Sequence, residues 1–133
     1  GDCGVYLSRA EGWNNEIIET MAMNKPVIAT NYSAHTEYLT TNNSFMVNID
    51  DIEPANDGKW FNGFGNWAKI GSDQFEQAIH YMRYVYTNNI NTNENGVITA
   101  HNYTWDNTAN IILETFNRNN SFYANTKAKS KRR

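Results

Sequence analysis

The chain has very little of what holds small extracellular domains together covalently. Cys3 is the only cysteine among 133 residues, which excludes an internal disulfide framework and a thiolate metal cluster and suits a reducing compartment. There are two prolines, Pro26 and Pro54, so long stretches are free to form helix or strand. No run of about 18 apolar residues is present, and no segment reads as a transmembrane helix. The opening residues, Gly1-Asp2-Cys3-Gly4, include no initiator Met and no recognisable signal peptide. They lead straight into an apolar run, as expected of a piece of a longer chain. Basic residues are scarce outside the C-terminus. Five of the eleven Lys and Arg are Lys127, Lys129, Lys131, Arg132 and Arg133, which leaves six bases against fourteen acids, a net of −8 for the rest. So acidic a body repels a phosphate backbone, and nucleic-acid binding is not expected.

What is present fits one globular domain. Hydrophobic residues make up 40% and charged residues 19%, ordinary globular values. Asparagine is over-represented, with 22 copies, and creates four sequons, at Asn31, Asn42, Asn102 and Asn119. With this composition about three would arise by chance, so they read as accidents of composition rather than glycosylation sites. Residues 119–133 read as a basic, disordered tail, a solvated terminus with contact to an anionic membrane surface as the lesser alternative.

The apolar pattern predicts an α/β fold. Val5-Tyr6-Leu7-Ser8 reads as a buried strand. Asn14 or Asn15 can cap the helix that follows, with Glu16 in its first turn, where negative charge suits the dipole. Ile17, Ile18, Met21 and Ala22 recur at helical spacing and form its buried face, and Glu19 lies well round from them. Asn24 suits the position after the helix, and Pro26 stops it. Pro26-Val27-Ile28-Ala29-Thr30 reads as a second strand, and the crossover between the two is long enough for a right-handed parallel βαβ unit. Residues 34–39 read as a short helix with Ser33 as cap, and residues 45–49 as a third strand. Strand, helix, strand, helix, strand with apolar strands implies a parallel sheet with flanking helices.

Residues 50–71 break this pattern. Asp50-Asp51-Ile52-Glu53-Pro54 reads as an acidic turn, and an aromatic, glycine-containing loop carries Trp60, Phe61, Phe64 and Trp67. The preferred reading is a segment packed over the core, with a place in a substrate cleft as the alternative. Ser72-Asp73 opens a strong helix with Phe75, Ala78, Ile79, Met82, Val85 and Tyr86 in one stripe. A short helix fits residues 96–101. Thr104 can cap a last helix in which Trp105, Ala109, Ile112 and Phe116 share a seam. The expected organisation is one domain over residues 1–118, made of a βαβαβ unit (1–49), the aromatic insert (50–71) and helices (72–118), followed by the tail.

The chemistry concentrates in the first βα unit. The loop after a parallel strand, leading into a helix N-terminus, is where α/β sheets bind ligands. The free N–H groups of a helix mouth suit phosphate, and Gly12 permits close backbone approach. Glu11 and Glu19 would repel phosphate but accept hydrogen bonds from sugar hydroxyls. The combination points to a phosphorylated sugar or nucleotide sugar, although an ordinary capped helix begins the same way. Asp50-Asp51 is not a spaced metal-ligand motif. Of the three histidines, His80 lies beside an apolar stripe and reads as structural, whereas His35 is near a strand-end loop and could line the cleft.

A resemblance sharpens this reading. Val5-Tyr6-Leu7-Ser8-Arg9-Ala10-Glu11-Gly12-Trp13, then Ile18-Glu19-Thr20-Met21-Ala22 and Pro26-Val27-Ile28-Ala29-Thr30-Asn31, closely resembles the donor-site block of glycosyltransferase family 4 (group 1), retaining enzymes of the GT-B architecture. Their hallmark is two glutamates separated by seven residues, here Glu11 and Glu19. Ser33-Ala34-His35-Thr36-Glu37-Tyr38-Leu39 and Tyr103-Thr104-Trp105-Asp106 resemble later family motifs more loosely. Nothing in residues 50–71 or in the tail resembles the family. The resemblance implies the C-terminal portion of a Rossmann-like donor domain with a helical C-terminal segment.

It further implies that Glu19 binds the ribose hydroxyls, while Glu11, the catalytic-site residue, accepts from hydroxyls of the transferred sugar. Backbone N–H groups of Gly12, Trp13, Asn14 and Asn15 would meet sugar and phosphate. Ser8, Arg9 and Thr30 would shape the site, and Glu37 would chiefly organise its own helix and loop. Family members often have Gly in place of Asn14 and Pro in place of Glu16, so the helix mouth here is bulkier and more acidic. The implied reaction moves a hexose from a nucleotide-sugar donor to a glycan, lipid or protein acceptor with retention, without metal or other cofactor, in a cytoplasmic or membrane-peripheral setting. The cations for the diphosphate and an acceptor-binding domain would lie upstream, leaving this chain incomplete and inactive by itself. The alternatives are a non-catalytic nucleotide-sugar or glycan-binding module, and another GT-B enzyme such as an epimerase or phosphorylase.

Overall fold

The computed structural model describes residues 1–130, with side chains described for residues 1–118. It divides into two units, Gly1–His101 and Asn102–Arg133. In the first, strands β1 (Gly4–Tyr6), β2 (Val27–Thr30) and β3 (Phe45–Val47) form a parallel sheet in the order β1-β2-β3. Gly4 is paired with Val27, and Ile28 with Phe45. Helix α1 (Asn15–Ala22) joins β1 to β2, and a 3-10 turn (Ser33–Glu37) leads toward β3. Helices α2 (Ser72–Thr87) and α3 (Glu94–His101) complete the α/β layer. The architecture is that of a partial Rossmann-like fragment.

Local chemistry explains α1 and β2. Ile17 and Met21, one turn apart, are fully buried against Val27, Ala29, Tyr38 and Leu39. Burial of each such side chain is worth about 1.5–3 kcal/mol. The helix ends with Asn24 at φ 58. The Asn24 N–H bonds to the Met21 carbonyl (2.9 Å) and the Lys25 N–H to the Thr20 carbonyl (3.1 Å), the paired closure of a Schellman motif. Pro26 then stands just outside β2, where its carbonyl accepts from the Gly4 N–H at 2.9 Å. Cys3 is half-buried, and desolvation holds its thiol above its ordinary pKa. A thiol so placed is a packing group rather than a nucleophile.

Four expectations are corrected. Residues 50–71 are neither a turn nor a loop packed over the core. They form an antiparallel hairpin, β4 (Ile52–Asn56) with β5 (Asn62–Ala68). Its aromatics Trp60 (77% exposed) and Phe64 (86%) stand in solvent. Pro54 misleads because in a two-stranded ribbon every strand is an edge, where a missing N–H costs little. Gly63 and Gly65 mislead too, since they hold φ values of +92° and +85° within β5, a conformation that favours glycine. Second, the apolar stripe of α2 is only partly covered. Ala78 and Val85 are buried, whereas Phe75, Ile79, Met82 and Tyr86 are exposed. Third, the turn after β2 is a 3-10 turn beginning at Ser33 itself, with Tyr32 as its cap. Ser33 is engaged elsewhere. Fourth, His80, expected to be structural, is exposed.

The second unit contains α4 (Trp105–Ser130). Thr104 caps it as expected, its Oγ1 accepting from the Asn107 N–H at 3.2 Å. Trp105, Ile112 and Phe116 are exposed. The helical backbone extends past residue 119, at which the sequence suggests fraying. The side chains that would make a basic tail lie outside the described residues.

The hairpin turn depends on pH. Asp57 Oδ1 accepts from the N–H groups of Lys59 (2.9 Å), Trp60 (2.8 Å) and Phe61 (2.9 Å). These three donors lower its carboxyl pKa below the ordinary value. A carboxylate depressed on folding contributes stability above its unfolded pKa, about 3.9, and that contribution is lost as pH falls through the lower folded value. Protection of the residue 59–61 amides, taken relative to their intrinsic exchange rates, is therefore expected to be full above about pH 4 and to fall on further acidification while that of α1 holds. In Asp57→Asn that extra acid step should disappear. A step of unchanged size in the variant would show that Asp57 is not its cause.

Candidate functional site

The candidate site lies at the carboxyl end of the parallel sheet, where the loop after β1 meets the start of α1. Four polar residues from the neighbouring β2 region pin this loop. Thr30, fully buried, donates from Oγ1 to the Ser8 carbonyl at 2.7 Å. Ser33 Oγ donates to the Glu11 carbonyl (2.7 Å) and accepts from the Glu11 N–H (3.2 Å), holding that residue's backbone from both sides. Tyr38 donates from its hydroxyl to the Trp13 carbonyl at 2.6 Å, and the two rings pack with centroids 5.0 Å apart.

His35 is the fourth, and sequence reading underrated it. It is fully buried. Its Nδ1 lies 2.9 Å from the Thr30 carbonyl, which can only accept, so Nδ1 carries the hydrogen. Nε2 is left to accept from the Asn14 side-chain amide at 3.1 Å. Asn14 is the cap residue of α1 and sits at φ 69. Its side chain bonds to His35 instead of the first-turn N–H groups, and no side chain caps the helix. The only signal in the sequence was a histidine and several hydroxyl residues clustered just past an apolar strand.

The expected site residues fall into distinct positions. Ser8 Oγ donates to Glu11 Oε1 at 2.7 Å, orienting that carboxylate within the loop. Gly12 and Asn15 are exposed at the helix mouth, and Trp13 is partly buried against the core. Glu19 is exposed one turn into α1, and its carboxylate takes no hydrogen bond or ion pair from the described residues. Glu37 is exposed as well. Thr30 and His35 lie beneath the loop rather than on its surface.

Arg9 is held by the hairpin. Its Nη2 pairs with Glu53, and Nε donates to the Ala68 carbonyl at 3.0 Å. The guanidinium carbon stands 3.9 Å from the Trp67 ring centroid, a cation–π arrangement. The Arg9 carbonyl accepts from the Ala68 N–H at 2.7 Å. Arg9 therefore acts as the root of the hairpin, two residues before Glu11.

Among the described residues no three His, Cys, Asp or Glu side chains gather as a metal site. No helix among them is long and apolar enough to cross a membrane. An open cleft of about 370 Å³, lined in part by Pro26, Asn43, Phe45 and Asn93, lies at the other end of the sheet. Its Asn43 and Asn93 amides are committed to internal bonds: Asn43 donates to the Tyr38 carbonyl, and Asn93 to the Lys25 and Asn43 carbonyls. The cleft is a seam between elements.

Residues 1–57 match the family model described as glycosyl transferases group 1. The match spans β1 through β4 and includes every expected site residue. No curated protein and no solved structure matches the chain.

Proposed function

We propose that this chain supplies the donor-binding half of a retaining family 4 glycosyltransferase, moving a hexose from a nucleotide sugar to an acceptor. The observation that carries the reading is the pairing of an uncapped α1 mouth with Glu19 exposed one turn inside it, within residues that match the group 1 family. Glu19 is the ribose acceptor, with both oxygens open to the two hydroxyls. Glu11 accepts from hydroxyls of the transferred sugar, steered by Ser8. N–H groups of residues 12–15 face the sugar and distal phosphate.

Transfer with retention passes through an oxocarbenium-like state while negative charge grows on the departing diphosphate. Donors fixed in advance stabilise that charge without reorganising, and the four-point pinning of the loop supplies such fixity. Glu11 is not assigned as a covalent nucleophile. Paired carboxylates serve that way in hydrolases, but here the second carboxylate is committed to ribose. No metal or other cofactor is required. The diphosphate cations and the acceptor domain are expected upstream in a longer, cytoplasmic or membrane-peripheral enzyme.

Titration of UDP-, GDP- and ADP-sugars into the chain, followed by backbone chemical shifts, tests the donor site. One nucleotide class is expected to bind at about millimolar affinity, worth about −4 kcal/mol, with shifts centred on residues 11–19. Shifts confined to other regions, or none with any nucleotide, would overturn the assignment. Micromolar affinity would favour a self-sufficient binding module over a donor-site half.

A further inference from the structure

The β4–β5 hairpin has a composition and placement that the donor site does not account for. Trp60, Phe61 and Phe64 are all more than half exposed. On β5 the exposed amides of Asn62 and Asn66 flank the exposed ring of Phe64, two residues to either side in sequence. A soluble surface that alternates rings with amides is chemically matched to carbohydrate: the rings take apolar C–H faces and the amides both donate to and accept from hydroxyls.

The charges favour a neutral partner. Residues 50–71 carry four acids against Lys59 and Lys69. Lys69 pairs with Asp51 at 3.3 Å, and Lys59 Nζ lies 4.9 Å from the Trp60 ring centroid. With Arg9 on Glu53 as well, the arm is close to charge balance and offers no cluster of bases to a phosphate polymer or an anionic bilayer. The hairpin is also fixed rather than loosely tethered. The Arg9 clamp joins its root to the loop that carries Glu11.

We infer that the hairpin is a glycan-binding arm that holds a neutral oligosaccharide through Trp60, Phe64 and the amides of Asn62 and Asn66, as the acceptor of the transfer. Its role as acceptor site rests on the transferase reading; the binding does not.

Neutral hexasaccharides of glucose, mannose, galactose and N-acetylglucosamine are titrated into the labelled full chain, and the Trp indole N–H resonances are followed. At least one is expected to shift the Trp60 resonance saturably while Trp13 and Trp105 stay unmoved. Phe64→Ala should weaken that binding about fivefold or more, as for loss of one aromatic anchor. Phe64 is 86% exposed, so its truncation leaves the fold intact, and unchanged Trp13 and Trp67 resonances verify this. Glu19→Ala should leave hexasaccharide binding unchanged. The inference falls if no hexasaccharide moves Trp60, or if phosphatidylglycerol–phosphatidylcholine vesicles perturb it and the saccharides do not. Hexasaccharide binding without nucleotide-sugar binding would remove the donor reading and leave the arm, and the reverse result would remove the arm alone.

Discussion

Glu19→Ala in the full-length enzyme is expected to raise the donor KM at least tenfold, with a smaller effect on kcat. Hydrogen bonds to a charged partner contribute about 1.5–3 kcal/mol each, partly offset by water in the variant, and a tenfold change needs only about 1.4 kcal/mol. Glu19→Gln keeps one acceptor oxygen and should fall between the two. The structure makes this substitution interpretable. Glu19 is exposed and unengaged among the described residues, so its removal should cost the fold no more than about 0.5 kcal/mol. A higher KM with unchanged thermal stability therefore reports on ligand binding. A carboxylate that grips ribose alike in ground and transition states would, when removed, show its loss chiefly in KM. Unchanged donor kinetics would end the ribose assignment and return Glu19 to the solvated face of a helix.

His35→Leu should have the largest effect on the fold near the site, a loss of about 2–4 kcal/mol in unfolding free energy. Leucine preserves bulk and burial but leaves the Asn14 amide and the Thr30 carbonyl each short of a partner. Thr30 is fully buried, so its carbonyl cannot turn to water, and unmet buried polar groups cost about 1–3 kcal/mol each. His35→Gln retains one donor and one acceptor and should recover part of the loss. Denaturant midpoints of the three proteins measure this directly. The strain at Asn14, φ 69, adds a second readout. Released from His35, Asn14 should relax, and amide exchange at the start of α1 should accelerate more than at its end. Equal stability in His35→Leu would mean that the packing of the ring, not its hydrogen bonds, holds the loop.

The two predictions separate binding from support. Glu19 presents chemistry to solvent and holds nothing together, whereas His35 is fully buried and links the cap of α1 to the end of β2. A conformationally fixed loop above His35 would also let N–H donors act on a leaving diphosphate without first being ordered.

The sequence by itself determined the elements whose causes are local. Apolar runs named the three parallel strands to within two residues at either end. Helical spacing of Ile17 and Met21 identified the buried face of α1 and, by the same geometry, put Glu19 on its outside. Asn24 and Pro26 fixed where that helix ends. Thr104 marked the start of α4. Such features are set by backbone propensity and side-chain periodicity over a few residues, so a single strand of text contains them.

Tertiary structure decided the partners. Ser33, a reasonable cap on paper, instead clasps Glu11, 22 residues away. His35 reaches Asn14 because β1 and β2 lie side by side, and Arg9 meets Ala68 across 59 residues. The hairpin shows the same division. Its proline and glycines read locally as turn, yet cross-strand pairing makes them strand, and the anchoring of Trp67 by Arg9 leaves Trp60 and Phe64 in solvent. Polar side chains have several nearly equivalent partners along the chain, each worth about 1 kcal/mol net. Which one is taken depends on which strands the buried apolar surface has brought together.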